Sequence, residues 1–257
     1  MDMNDLSPRF WPLFLELYES LPRQGPGNRQ CAGRALALCP GLPDRPSVID
    51  LGCGAGGQTI QLAGLLDGSR IVAVDSHEGS VARLRAEVGR RGLSGRISAV
   101  AADMLNLDFP QGSFDLVWSE GALYNIGIGN AMHLSRRLLR SGGYVAFTDA
   151  VWRRNDPPGE VRKSFEVDYP AMSTAVGVME VIERSGFELK GHFTLPDEAW
   201  WGDFYTPMEA RIAEMRRKYA GDGEALAVMD MLAAEPEMHR RHSDCYAYEF
   251  FVARRPE

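Results

Sequence analysis

Short apolar runs alternate with amphipathic stretches through the first part of the chain. Val48–Leu51, Ile71–Val74, Ile97–Ala101, Phe114–Trp118 and Tyr144–Thr148 are mostly apolar runs of four or five residues. Runs of that length bounded by turn residues predict buried strands. Between them the period becomes helical: Ile60, Ala63 and Leu66 in Gly57–Leu66, Val81, Leu84 and Val88 in Gly79–Arg91, and then Asn130–Leu139, stopped by Ser141-Gly142-Gly143. Strands alternating with helices predict βαβ units and a mostly parallel sheet, with a ligand site beyond the carboxyl ends of the strands.

The flanks differ. Phe10–Leu21 predicts a short helix, followed by the turn cluster Pro22-Arg23-Gln24-Gly25-Pro26-Gly27. Asn28 is a candidate cap for a second helix through about Cys39, and Pro40-Gly41, Pro43 and Pro46 close that segment. After residue 150 the alternation stops. Trp152 to Pro170 is polar, contains Pro157-Pro158 and reads as an insertion. Ala175–Ser185 is amphipathic, Phe187–Leu195 and Cys245–Ala253 predict strands, and Pro207–Tyr219 and Glu224–Ala234 predict helices. No internal repeat or low-complexity segment stands out.

Composition narrows the partners. The 257 residues are 45% hydrophobic and 25% charged, which is ordinary for a globular protein with a full core. A net charge of −7 disfavours nucleic acid and anionic membranes as partners. Cys31, Cys39, Cys53 and Cys245 form no C-x-x-C pair and no zinc spacing, so free thiols in a reducing compartment are expected. Asp2 and Asp5 without a long apolar run predict no signal peptide, and no stretch reaches membrane-spanning length; a cytoplasmic protein is expected. His239 and His242 stand three apart with no third ligand in view, which predicts a solvated pair and no metal. His77 either flanks a bound base or is an ordinary loop histidine.

The chemistry centres on Val48 to Thr59. An apolar run ends on Asp50, and four glycines follow in six positions: Gly52, Gly54, Gly56 and Gly57. Glycine accepts positive φ and lets a ligand approach the backbone. The spacing satisfies G-x-G-x-x-G, which alone fits a dinucleotide. Asp50 argues otherwise, because a carboxylate there repels a pyrophosphate but suits a ligand bearing an ammonium group. Asp75 ends the second strand 23 residues after Gly52 and suits ribose hydroxyls. Asp103 follows the third strand, with Met104 beside it to lie against an adenine face. Each aspartate alone could be a turn residue. Three acids at successive strand ends form a constellation.

Val48–Gly57, Val74-Asp75, Ala102-Asp103-Met104, Phe114–Ser119 and Leu139–Tyr144 resemble, in order and spacing, the motifs of class I S-adenosylmethionine-dependent methyltransferases. The resemblance covers about residues 45–152. Arg23–Gly27, Trp118–Gly127 and Trp200–Tyr205 further resemble a bacterial group of small-molecule methyltransferases. The resemblance implies an α/β, Rossmann-like, mostly parallel seven-stranded sheet ending in a C-terminal antiparallel hairpin, with helices on both faces and extra N-terminal and C-terminal cap helices. It implies one domain over 1–257: a helical cap at 1–44, a cofactor-binding core at 45–152, and substrate-cap insertions with the final hairpin at 153–257. S-adenosyl-L-methionine is the implied cofactor, held by Asp50, Gly52, Cys53, Gly54, Asp75, Ser76, Ala102, Asp103, Met104, Ser119 and Glu120.

Glu120, Tyr124 and Asn125 follow the fourth strand, where a sulfonium methyl should face its acceptor. Glu120 is expected to be a base, a cation anchor or a partner of the cofactor's ammonium; it and Tyr124 are the catalytic candidates. Tyr124, Asn125, Trp152, Tyr169, Trp200 and Tyr205 are the candidates for the substrate, with Trp201 beside them. Aromatics around an acid would suit a cationic or aromatic acceptor; packing residues are the plainer reading. The expected reaction is methyl transfer to a small molecule, in which the protein aligns the reactants and excludes water. An NAD-dependent oxidoreductase and a catalytically inactive cofactor-binding regulator are the alternatives. The sequence leaves monomer and homodimer open.

Overall fold

The computed structural model describes residues 7–257; Asp2 and Asp5 lie outside the described residues. Seven strands form one sheet: β1 (Ser47–Leu51), β2 (Arg70–Asp75), β3 (Ile97–Ala101), β4 (Phe114–Glu120), β5 (Leu139–Trp152), β6 (Glu188–Thr194) and β7 (Tyr246–Arg254). Their order is β3-β2-β1-β4-β5-β7-β6. The first five are parallel, and β7 runs antiparallel between β5 and β6. The expected sheet, with its antiparallel end, is what the chain forms. Strand order reverses between β1 and β4, so a crevice opens beyond their carboxyl ends. The glycine turn leaves β1 there and the Glu120 segment leaves β4 there.

The core explains the apolar runs. Val48 packs on one face with Leu62, Ile71, Leu84 and Leu116, while Ile49 and Leu51 pack on the other with Val117, Leu138 and Phe147. A strand covered on both faces reads as a continuous apolar run. The first face is closed by α2 (Arg29–Ala37), α3 (Gly57–Ala63) and α4 (Glu78–Arg90), and the second by α5 (Ile128–Leu138) and α7 (Ala175–Arg184). Asn28 caps α2 by accepting from the Cys31 N–H, as its position suggests.

A third cluster lies over the crevice. It joins α1 (Phe10–Tyr18), α9 (Thr206–Lys218) and α10 (Gly223–His242) to Tyr169, Met172 and Tyr246. Four expectations change in this region and beside it. Ser141-Gly142-Gly143 does not precede β5 but lies within it, as an irregularity where the pairing shifts from Phe114↔Leu139 to Leu116↔Tyr144. The polar stretch 152–170 contains a helix, α6 (Gly159–Asp168), and Pro158 stands at its start, where proline fits. Glu224–Ala234 is only part of α10, which continues through the buried Pro236 to His242. Residues 198–218 run as one helical stretch, α8 (Glu198–Trp200), a wider π turn (Trp201–Tyr205) and α9, where only Pro207–Tyr219 was expected.

Candidate active site

Asp50 sits at the end of β1 with its side chain fully buried. One carboxylate oxygen accepts from the Thr59 hydroxyl at 2.6 Å. The other, Oδ1, is buried and finds no partner among the described residues. Burial pushes the carboxyl up to about 7, with Glu120 and Asp75 adding to it and Thr59 and Arg23 opposing it. An orphaned buried oxygen of this kind calls for a donor, and an ammonium group supplies one.

The turn itself has no room for side chains. Gly52 has φ +73°, and a Cβ on it would meet the Ala122 Cβ at 2.2 Å and the Met104 methyl at 3.9 Å. The β1 turn therefore lies directly against the segment after β4. Gly54 donates its N–H to Asp75 at 2.8 Å, and Ala55 donates to the Gln24 side chain at 2.7 Å. Cys53 is fully buried in the core, with its thiol pushed upward by burial, so only its backbone faces the turn.

Asp75 holds the turn with both oxygens, one accepting from Gly54 and the other from His77 N–H at 2.9 Å. Each oxygen keeps a second lone pair for a ligand hydroxyl. Ser76 beside it is exposed. Asp103 is exposed and caps a short turn, accepting from Leu105 N–H and the Asn106 amide, each at 2.9 Å. Both readings of these acids hold at once: they are turn residues, and they stand at neighbouring strand ends. Ala102 and Met104 are half-buried beside them. His77 caps α4, accepting from Ser80 N–H, which is the ordinary loop reading.

Glu120, expected as a base, a cation anchor or a partner of the cofactor's ammonium, is engaged by two donors of the chain itself. Its two oxygens accept from Arg23 at 2.5 Å and from the Trp118 indole at 2.9 Å. Arg23 also reaches Gln61 at 3.1 Å. A buried carboxylate paired with a guanidinium and an indole ties the end of β4 to the segment before α2, and removing either charge would strand the other. Ser119 was also expected at the cofactor. It is fully buried and its hydroxyl donates to the Leu51 carbonyl at 2.7 Å, tying β4 to β1 instead of facing the crevice. Arg23 and Gln24 were read only as part of a turn cluster and a family motif. They reach Glu120 and the glycine turn, and their polarity inside a Pro/Gly segment was the available signal.

Beyond Glu120 the aromatic candidates divide. Tyr124 and Tyr169 meet with ring centroids 5.0 Å apart. The Tyr169 hydroxyl donates to Asp149 at 2.8 Å, and burial pushes that carboxyl up to about 7. Tyr205 donates to Glu235 at 3.1 Å, and Tyr18 from α1 donates to the same carboxylate at 2.6 Å. Trp200 is buried and stacks on His239 with centroids 4.1 Å apart. Trp152 packs edge-on against Phe165, and Asn125 is exposed, donating to the Ala122 carbonyl at 2.9 Å. Tyr18, Asp149, Glu235 and Tyr248 were missed. They come from four segments with no shared motif, and only the fold brings them together.

His239 also overturns its expectation. It is buried against Trp200, and burial pushes its imidazole down, while His242 bonds Glu160 at 2.8 Å. All four cysteines are buried and unpaired. No helix among the described residues is long and apolar enough to cross a membrane.

Residues 48–143 match a family of methyltransferase domains. A sterol 24-C-methyltransferase of Aspergillus fumigatus is 26% identical over 189 residues, covering 70% of this chain and 50% of that protein. A sarcosine/dimethylglycine N-methyltransferase of Halorhodospira halochloris is 28% identical over 163 residues, covering 63% and 58%. The chain thus spans about half the length of these curated relatives. A methyltransferase from Geobacter sulfurreducens, solved with S-adenosyl-L-homocysteine, superposes with a TM-score of 0.79 at 17% identity over 96% of this chain and 98% of that one. The chain has the class I methyltransferase fold.

Proposed function

We propose that this protein transfers a methyl group from S-adenosylmethionine to a small-molecule acceptor. The observation that carries the reading is the free, buried Asp50 oxygen at the crevice between β1 and β4, with Asp75 and Asp103 at the two neighbouring strand ends. In this reading Asp50 faces the ammonium of the methionine moiety, Asp75 takes the ribose hydroxyls, and Asp103 with Met104 borders the adenine. S-adenosylmethionine, when bound, supplies an already activated methyl on a sulfonium. The chain's own residues then need only align the acceptor and exclude water. Arg23 fixes Glu120 at the floor, Gln24 covers the glycine turn, and Tyr124 positions the acceptor. An acidic protein of this kind suits a small cytoplasmic metabolite better than nucleic acid or a membrane.

Isothermal titration with S-adenosylhomocysteine tests the reading. Wild type binds and Asp75→Ala binds at least tenfold more weakly; no binding by wild type, or equal binding by the variant, overturns it. Asp50 and the antiparallel β6–β7 pair weigh against an NAD-dependent enzyme. Transfer of labelled methyl from the cofactor to a metabolite pool separates an active enzyme from a regulator that only binds.

A further inference from the structure

The space beyond Glu120 is lined by phenols and two acids. Tyr18, Tyr124, Tyr248 and Glu235 are surrounded by protein, yet each keeps some accessible surface. Groups so enclosed and still accessible border an internal chamber. Tyr248 reaches the turn after β4: a Cβ on Gly121 would lie 3.2 Å from its ring. The chamber thus begins one residue from Glu120, next to the candidate cofactor crevice.

Both acids in it lack a counter-charge. Glu235 is held by the Tyr18 and Tyr205 hydroxyls, and Asp149 by Tyr169. No Lys, Arg or His is among the groups acting on either carboxylate. Tyr124 feels Asp168, Asp149 and Glu235, and Tyr248 feels Asp149 and Glu235. Asp149 leaves β5 on the face opposite Tyr248 and meets the tyrosines through Tyr169, whose ring packs on Tyr124. A second, independent feature points to a missing ligand. Thr148 pairs with Glu120 and with Phe250, two residues along from the Ala150↔Tyr248 pair, so its side chain shares a sheet face with Tyr248. Its hydroxyl is buried and has no partner among the described residues.

We propose that this chamber seats an ammonium group carried by the methyl acceptor, held between the Glu235 and Asp149 carboxylates and the faces of the surrounding tyrosines. This rests on the methyltransferase reading for the word acceptor, but the cation site stands on its own geometry. Buried carboxylates without a cation are unfavourable when charged. A bound ammonium relieves both and gains cation–π attraction from the phenol rings, whereas a neutral molecule of the same shape gains neither.

The test uses the full chain and two probes of nearly equal shape, benzylammonium and benzyl alcohol, titrated with and without saturating S-adenosylhomocysteine. The cation is expected to bind at least tenfold more tightly than the alcohol. Glu235→Gln is expected to weaken the cation at least fivefold, to leave the alcohol unchanged, and to leave S-adenosylhomocysteine affinity within twofold. Equal binding of the two probes, or an unchanged ratio in Glu235→Gln, overturns the proposal. If Glu235→Gln does not fold, Asp149→Asn and the wild-type ratio decide it. Failure of S-adenosylhomocysteine to bind counts against the methyltransferase reading, while the probe ratio measured without it still decides the cation site.

Discussion

Arg23 and Glu120 meet at 2.5 Å with both side chains 3% exposed, joining the Pro/Gly segment before α2 to the end of β4. Removing one partner of a buried pair strands the other charge. Arg23→Ala should therefore destabilise the protein by about 3–5 kcal/mol. Arg23→Ala combined with Glu120→Gln should recover part of that loss, because no buried charge is left unpaired. Urea unfolding of the two variants checks the order. Equal stability of Arg23→Ala and wild type would show that the pair carries no load.

That pair also shows where the sequence was legible. The five parallel strands and the glycine turn could be read because each local pattern agreed with the fold: strands covered on both faces have to be apolar throughout. Asp50, Asp75 and Asp103 could be read because strand ends converge on one crevice by topology. Glu120 was located but the contacts that hold it were not, since its partner Arg23 lies 97 residues earlier and nothing local announces it. α6 was hidden because its exposed face is polar and only Val161 is buried. Glu235 and Asp149 resemble any other acids until Tyr18, Tyr205 and Tyr169 are folded onto them.

The turn depends on Asp75 whether or not a ligand is present. Asp75→Ala removes acceptors from both Gly54 and His77 N–H groups. Leaving polar groups unpaired costs about 1–3 kcal/mol each where water cannot replace the partner. The variant should lose about 1–3 kcal/mol of stability for each contact that water does not replace, as well as its cofactor affinity. Asp75→Asn, which keeps one acceptor and turns a donor toward the other N–H, should restore one contact only. Unfolding and titration on the same samples separate the two roles.

Asp50 gives a pH dependence with a definite sign. Its carboxyl is raised by burial from 3.8 to about 7 in the folded chain. The native state then holds a proton that the unfolded state has released between those values. Its contribution to stability is present below about pH 4 and is lost as pH rises through about 7. Ligand binding has the opposite sign, because the charged form of Asp50 is the one that suits an ammonium. S-adenosylhomocysteine affinity should rise between pH 5.5 and 7.5, and Asp50→Asn should flatten that rise. A wild-type affinity that falls over the same range would exclude an ammonium partner for Asp50.

The close approach of Gly52 and Ala122 can be tested by moving a methyl group across it. Gly52→Ala places a Cβ 2.2 Å from the Ala122 Cβ, and it does so at φ +73°. Two costs add: about 1–2 kcal/mol for a side chain in the left-handed region, and about 1–3 kcal/mol for the overlap. Ala122→Gly removes the overlapping methyl and leaves the backbone strain. The double variant should therefore be more stable than Gly52→Ala alone by roughly the overlap cost, while remaining below wild type by the strain. Its cofactor affinity should recover in step, because the β1 turn and the segment after β4 would again lie at their native spacing. A double-mutant cycle on unfolding free energy measures the coupling. Strict additivity would mean that the two segments do not pack against each other in solution, and the crevice they form would then need a different architecture.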